Sequence, residues 1–301
     1  LKVRDAFSLA IDRNAFFKFK KTTKPLVDII PFGIFPKYEA AREKVYAELL
    51  KKQGSSLDEW KARVFDAEKA RRLMTEAGYP VQKSGSGWSC PTFPVESVNI
   101  TYNTSESNKA TAEFVQAQWK QNLGITIPLK NMEFKTYLPM INKVEYDGFG
   151  RRGWVGDYMD PFTFLYLYYS EGNESATGWW DPKFDKLIDE ANSTIDEQKR
   201  LEKMAEAEFL VAQQHITLPL GVPGTSWMKK PYVKGLYPNP GTLHPWKFVY
   251  IERDPAKWDQ NADDILKISD PQVDAQVAAL NESQLAFKRS KELQTTKAAA
   301  E

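Results

Sequence analysis

The sequence predicts an α/β fold, and three consecutive patterns near the middle of the chain carry that prediction. Residues 97–103 alternate apolar and polar side chains, as a half-buried strand does. Helical periodicity follows over residues 106–123 and stops at Gly124, and residues 125–129 alternate again. A strand, a helix and a second strand with tight connections indicate a parallel βαβ unit.

Length and composition limit the class of protein. The 301 residues exceed the usual size of one small domain, and a hydrophobic content of 42% with 27% charged residues supplies material for a sizeable core. The formal net charge of +1 gives the chain as a whole no electrostatic attraction to nucleic acid or to an anionic membrane. No apolar run approaches the length of a spanning helix. We therefore predict a soluble globular protein with no nucleic-acid partner.

Residues suited to catalysis or to metal binding are scarce. Cys90 is the only cysteine, and His215 and His244 are the only histidines, so no intrachain disulfide can form and no metal-ligand spacing exists. The sequence also lacks a nucleophile elbow, a phosphate-binding loop and a dinucleotide fingerprint. These absences predict no catalytic site, no metal and no cofactor.

The remaining elements follow from periodicity and from capping residues. Asp66, Asp160 and Asp181 are predicted helix N-caps, and proline follows the last two directly. Helices are predicted at 3–11, 39–52, 66–77, 134–142, 183–191 and 197–214, with an aromatic helix after Pro161; strands are predicted at 146–154, 216–220 and 248–251, and surface connections at 25–36 and 80–94. The tail after Arg253 is predicted to be helical or partly disordered.

Two groups of polar residues are candidates for ligand binding. Arg151, Trp154 and Asp157 follow the third predicted strand, where α/β sheets commonly hold ligands, and together they would suit a zwitterion. Asn108 and Lys109 lie in the first turn of the helix after residue 105, where an anion could bind. From residue types alone, the favoured interpretation is a turn Asp, a surface Arg, a core Trp and a solvated helix end.

A series of segments that follow one another in the same order as in a known protein family favours the ligand-binding interpretation instead. They lie at 3–13, 66–73, 77–79, 102–105, 119–125, 133–138, 153–158 and 230–235, and the seventh reads Gly153-Trp154-Val155-Gly156-Asp157-Tyr158. With these segments, the chain resembles the peptide-binding proteins of bacterial ABC importers, the extracellular solute-binding family 5.

The resemblance implies two α/β lobes of the type II periplasmic-binding-protein kind that close on a ligand. Residues 1–225 would form the C-terminal ligand-binding lobe, a mixed sheet flanked by helices. Residues 226–252 would return to a missing N-terminal lobe, and residues 253–301 would be a C-terminal extension. The chain would thus be a fragment that lacks most of the first lobe.

The resemblance also assigns site residues. Asp157 would bind the α-ammonium of a peptide, Trp154 would line a side-chain pocket, and Arg151 would take part in ion pairing, with Tyr158 completing the motif. Asn108 stands where a carboxylate-binding His occurs in the family, beside Lys109. Gly221-Val222-Pro223 replaces expected tyrosines, so the preferred peptide length stays open.

The implied function is capture of short peptides outside the cytoplasmic membrane, in the periplasm or an equivalent space, and their delivery to an ABC permease, without catalysis. The expected partners are a short peptide, the permease and the missing lobe. Three alternatives remain: an interaction or sensing module on the same lobe, a family member for a non-peptide solute, and a peptidase.

Overall fold

A computed structural model describes residues 1–21, 23–171, 176–224, 228–237 and 244–259. The chain divides into two compact units, Leu1–Ser226 and Trp227–Glu301. The sequence-based boundaries after residues 225 and 252 stay predictions, because compactness alone does not assign a segment to a lobe. No helix in the described ranges combines the length and the hydrophobicity that a membrane span requires.

The first unit is rich in helices. In chain order the helices are α1 (Lys2–Leu9), α2 (Arg13–Lys20), α3 (Pro36–Lys52), α4 (Leu57–Lys61), α5 (Ala67–Glu76), α6 (Glu106–Leu123), α7 (Phe134–Asn142), α8 (Phe162–Leu165), α9 (Pro182–Asn192) and α10 (Glu197–Gln214). Its strands are β1 (Thr23–Pro25), β2 (Gln82–Ser84), β3 (Gly87–Ser89), β4 (Asn99–Asn103), β5 (Leu129–Met132), β6 (Gly148–Gly150) and β7 (Gly221–Pro223). Short 3-10 turns lie at Ala62–Val64, Val95–Ser97 and Tyr166–Tyr168.

A three-stranded parallel sheet with the order β5-β4-β6 confirms the α/β prediction. Helix α6 connects β4 to β5, as the βαβ pattern indicates. The second strand of this unit begins later than predicted, since β5 starts only at Leu129. Ile125 and Ile127 are buried in the connection before it. The antiparallel pairs β1-β7 and β2-β3 form separate two-stranded sheets, so the described strands do not join into one mixed sheet.

The predicted strand at 216–220 is wrong. Those residues form no ladder, and the strand that follows them is β7, which pairs with β1 in a segment predicted to be a surface connection. Leu218 and Leu220 pack against a hydrophobic core, so their alternation reflects burial rather than strand pairing. Helix α2 was also missed: the Asp12 carboxylate accepts a hydrogen bond from the Ala15 N–H at 2.9 Å and starts a new helix after α1.

Gly124 lets α6 end against the β2–β3 hairpin. Its φ is +70°, in the left-handed region, and a Cβ built on it would lie 2.3 Å from the backbone oxygen of Trp88. Any other residue would therefore meet backbone that cannot move aside. This close approach places the carboxyl end of α6, and with it the start of the connection to β5.

Two main hydrophobic clusters fill the first unit. One surrounds the parallel sheet, where the Phe7 ring packs edge-on against Trp119 at 4.8 Å and Phe149 lies 4.6 Å from Trp119. The other joins α3, α8, α9 and α10 around Tyr38 and Phe184. The Trp119 Nε1–H donates to the Phe7 carbonyl at 2.9 Å, so the first cluster holds no unsatisfied indole.

A buried carboxylate ties α10 to α3 and to the loop before it. Glu208 is 0% exposed, and its Oε1 accepts hydrogen bonds from the N–H groups of Ile29 and Ile30 at 2.9 and 2.7 Å. Its Oε2 accepts from the Tyr38 hydroxyl at 2.6 Å and lies 3.6 Å from the Arg42 guanidinium. Burial raises the pKa of the Glu208 carboxyl, while Arg42 opposes that rise.

A second buried cluster joins α1 to the end of α10. Arg63 donates to Asp5 and, at 3.0 Å, to Nε2 of His215. Because a guanidinium can only donate, Nε2 accepts and the neutral ring carries its proton on Nδ1. Burial and the charge of Arg63 lower the pKa of His215 to about 4.

The second unit is described in part. Strands β8 (Val233–Lys234) and β9 (Tyr250–Ile251) pair antiparallel, and 3-10 turns lie at Trp246–Phe248 and Pro255–Lys257. The strand predicted at 248–251 therefore starts two residues later. Asp259 accepts hydrogen bonds from Lys229, at 2.7 Å, and from Lys234. Most of the tail, residues 260–301, lies outside the described residues.

We predict that Glu208→Ala lowers the free energy of unfolding by about 3–5 kcal/mol, because it leaves the Arg42 charge and two backbone N–H groups buried without their acceptor. Urea unfolding followed by tryptophan fluorescence measures this. Glu206→Ala, on an exposed position of the same helix, is the control and should change stability by less than about 0.5 kcal/mol. Equal losses in both variants would contradict the role of the network.

We predict that His215 makes the protein less stable as pH falls from about 6.5 to about 4. In that window the unfolded chain binds a proton that the folded chain refuses, so stability is present above the window and is lost below it, by about 3 kcal/mol in total. Urea midpoints across this range measure the slope. His215→Asn should flatten it, since Asn tolerates the left-handed backbone at this position. Parallel curves of stability against pH for the wild type and His215→Asn would contradict the assignment.

Candidate ligand-binding site

The carboxyl edge of the parallel sheet positions Arg151. Its N–H donates to the carbonyl of Thr101 in β4 at 2.9 Å, and the hydroxyl of Tyr137 in α7 donates to its carbonyl. The guanidinium lies over Gly153, where a Cβ would be 3.8 Å from the Nη2 atom. The Arg151 side chain is exposed, and partial desolvation still lowers its pKa. A fixed backbone with an available cation is suited to a ligand carboxylate.

The first turn of α6 lies at the same edge. Asn108 is 7% exposed, and its Nδ2 donates to the Oδ1 of Asn103 at 2.9 Å and to the Asn103 carbonyl at 3.2 Å. This side chain therefore holds the helix start against the end of β4. Lys109 is exposed, and its side chain makes no hydrogen bond or ion pair with a described residue. Of the two residues predicted here, Lys109 is the one with an available polar group.

Trp154 lies on the segment that leaves the sheet edge. It is partly buried and packs against the cluster formed by α3, α8, α9 and α10. Its Nε1 atom is buried and has no hydrogen-bond partner among the described residues. An indole N–H in this state costs free energy unless a ligand or water accepts it.

Asp157 is held by its backbone and not by its side chain. Its N–H donates to the Oγ1 of Thr163 at 3.0 Å, while its exposed carboxylate makes no hydrogen bond or ion pair with a described residue. Next to it, Tyr158 is 49% exposed, and burial together with the carboxylates of Asp160 and Asp157 raises its pKa. A carboxylate that is fixed yet unpaired is ready to bind an ammonium group.

Asp160 anchors this segment at its far end. Its Oδ1 accepts from the Phe162 N–H at 2.9 Å, but α8 begins at Phe162 with Pro161 as its N-cap, so the cap predicted at Asp160 is wrong by one residue. Both carboxylate oxygens accept from Arg200 in α10, at 2.7 and 3.0 Å. The sequence analysis gave no site role to Arg200 or to Tyr137, because each acts only through contacts made in the folded chain.

The structure brings the predicted residues into two neighbouring groups within the first unit. Arg151, Asn108 and Lys109 lie at the sheet edge, and Trp154, Asp157 and Tyr158 lie on the segment that runs from this edge to α8. Among the described residues, no group of three or more His, Cys, Asp or Glu could hold a metal ion. The arrangement offers an anion, a cation and an aromatic surface, a combination suited to a zwitterion.

A parallel sheet with such a group at its carboxyl edge is typical of solute-binding lobes. Residues 1–176 match the family model of the bacterial extracellular solute-binding proteins, family 5 Middle. The chain belongs to this family.

Known proteins similar to the chain share its fold. It is 33% identical to an oligopeptide-binding protein of Bacillus subtilis over 146 aligned residues. These residues cover 48% of this chain and 26% of the relative. It is 29% identical over 235 residues to a periplasmic oligopeptide-binding protein of Salmonella typhimurium, 78% of this chain and 39% of the relative. A crystal structure of a periplasmic oligopeptide-binding protein from Borrelia burgdorferi superposes with a TM-score of 0.67 at 28% identity, covering 83% of this chain and 45% of that one. The chain thus spans less than half of each of these relatives.

We predict that Arg200→Ala loosens the segment that carries Asp157. The Arg200–Asp160 pair is only partly exposed, so its loss should cost about 1 kcal/mol of stability and speed amide exchange at Asp157. Hydrogen exchange followed by NMR measures the second effect. Lys199→Ala, the exposed neighbour, should leave the Asp157 amide unchanged, and similar exchange rates in the two variants would contradict the anchoring role.

Proposed function

We propose that the chain is the ligand-binding lobe of a receptor that captures short peptides outside the cytoplasmic membrane and passes them to an ABC permease. The observation that carries this proposal is the Asp157 carboxylate, which is fixed by the backbone bond to Thr163 and has no ion partner among the described residues. Peptides differ in sequence, but each unmodified peptide offers an α-ammonium group. A receptor of broad specificity therefore gains most from one anchored carboxylate.

The other residues of the site fit the remaining parts of a peptide. The buried Nε1 of Trp154 can donate to a peptide carbonyl, and the exposed guanidinium of Arg151 can bind a carboxylate. Lys109 supplies a further cation at the start of α6, and Tyr158 adds an amphipathic wall. Asn108 acts by holding that helix start in place.

The relatives support the substrate class. The names of the Bacillus and Salmonella proteins describe oligopeptide binding, and that of the Borrelia protein adds an oligopeptide ABC transporter. In our proposal a second lobe closes over the peptide. If both lobes together bind at micromolar strength, about −8 kcal/mol, half of the contacts leave about −4 kcal/mol, a millimolar dissociation constant.

The proposed receptor does not turn its ligand over. No described residue pairs a nucleophile with a base at this site, and the exposed carboxylate of Asp157 and the exposed guanidinium of Arg151 suit binding of charged groups. Incubation with trialanine should therefore release no alanine.

We predict that trialanine shifts the NMR resonance of the Trp154 indole N–H with a dissociation constant near 1 mM. Asp157→Asn should weaken this binding at least tenfold, because it removes the charge that pairs with the ammonium. N-acetyl-trialanine, which lacks that ammonium, should bind the wild type as weakly as trialanine binds the variant.

Asp147→Asn is the matched control, since it removes the same charge at another exposed position and should leave binding unchanged. If trialanine and its acetylated form bind equally, the ammonium anchor is wrong. If neither perturbs Trp154, a non-peptide solute becomes the better assignment for this lobe.

A further inference from the structure

Lysine and phenylalanine alternate on one exposed surface that the ligand site does not use. Between Asp12 and Asp28, every charged residue is basic. The exposed lysines and phenylalanines of this stretch form what we call the α2 patch: Phe17, Lys18 and Phe19 on α2, Lys21 at its end and Lys24 in β1.

The packing of α2 fixes which residues face outward. Phe16 is 4% exposed and lies on the inner side, with Arg13 at 1%. Lys20 also turns inward, because its Nζ donates to the Oγ of Ser107 in α6 at 2.7 Å. A helix turns about 100° per residue, so Lys18 lies nearly opposite Phe16. Phe17 and Phe19 therefore flank Lys18 on its two sides.

The two flanking rings leave apolar surface in contact with water. Phe17 is 38% exposed and Phe19 49% exposed. The Phe19 ring stacks on Phe114 with centroids 5.2 Å apart, which keeps its outer face in a fixed position. The helix thus presents two partly exposed rings on either side of Lys18, and Phe114 supports that of Phe19.

The central lysines are available for an external partner. Neither Lys18 nor Lys21 makes a hydrogen bond or an ion pair through its side chain with a described residue. Lys21 ends the helix, with its N–H donating to the Phe17 carbonyl at 2.9 Å, so its side chain leaves from the same end of α2.

We propose that the α2 patch docks on a bilayer that bears anionic phospholipid headgroups. Lysines between aromatic residues are the pattern of surfaces that lie at a membrane interface, where the ammonium groups meet phosphates and the rings enter the headgroup layer. A protein partner fits less well, because Lys is depleted at protein interfaces and three of the five residues of the patch are lysines. Its two phenylalanines suit either partner, so the lysines decide between them.

The net charge of the whole chain does not oppose this docking. At +1 it neither attracts nor repels a bilayer strongly, and screening in physiological salt confines electrostatic attraction to about 8 Å. The local lysines therefore decide the interaction.

Co-sedimentation with phosphatidylcholine vesicles, with and without phosphatidylglycerol, tests the proposal. We expect the chain to bind only the vesicles with phosphatidylglycerol, and less as salt rises. The double variant Lys18→Gln with Lys21→Gln should lower the partition coefficient about thirtyfold, because each lysine contributes a factor of somewhat more than about five.

Lys51→Gln with Lys52→Gln is the matched control. These exposed lysines lie in the last turn of α3, so the pair changes net charge and helix-end electrostatics as the first pair does. Its partition coefficient should stay at the wild-type value. Phe17→Ser should also weaken binding while preserving its salt dependence, and it tests the patch without changing charge.

Three results would overturn the proposal. Binding that does not depend on phosphatidylglycerol would exclude headgroup recognition. Equal losses in the two double variants would show a non-specific charge effect. Binding to polyglutamate in preference to the vesicles would favour an acidic protein as the partner. Circular dichroism of each variant establishes that the fold is retained before binding is compared.

Discussion

The buried Glu208 carboxylate is the interaction on which most of the first unit depends. It receives two backbone N–H groups from the loop before α3 and the hydroxyl of Tyr38 within α3, so it fixes α10 against both. Helix α10 in turn carries Arg200, whose bond to Asp160 holds the segment that includes Asp157. The exposed Asp157 carboxylate is therefore positioned through Arg200 on α10, the helix that Glu208, with 0% exposure, holds in place.

The sheet supplies the second constraint. Arg151 is placed because its N–H continues the ladder from β6 to Thr101, one residue beyond the strand. The Asn108 amide bonds to the end of β4 and fixes the start of α6 at the same edge. Parallel strands end together, so residues distant in sequence meet there without any direct bond between their side chains.

Local patterns predicted the parallel unit and the capped helices, because periodicity and caps depend on neighbouring residues. They failed where tertiary contact decides the structure. Leu218 and Leu220 alternate because they pack on a core, and β1 exists only because β7 pairs with it. In the candidate site, the Asp157 motif was visible in the sequence, while its support by Thr163 and Arg200 was not. Such supports are single side chains far along the chain, and their types carry no local signature.

The distribution of charge shows why net charge alone does not decide what one surface can bind. The net charge of +1 gives the chain as a whole no attraction to an anionic membrane, but this sum describes no single surface. The net charge counts opposite charges as cancelling wherever they lie in the chain. In salt solution, however, one charge weakens the electrostatic field of another only if the two lie within about a Debye length. Lys18 and Lys21 lie in a stretch with no acidic residue between Asp12 and Asp28, so along the chain nothing close compensates them. The spacing of charges along α2, rather than their total, determines what that surface can bind.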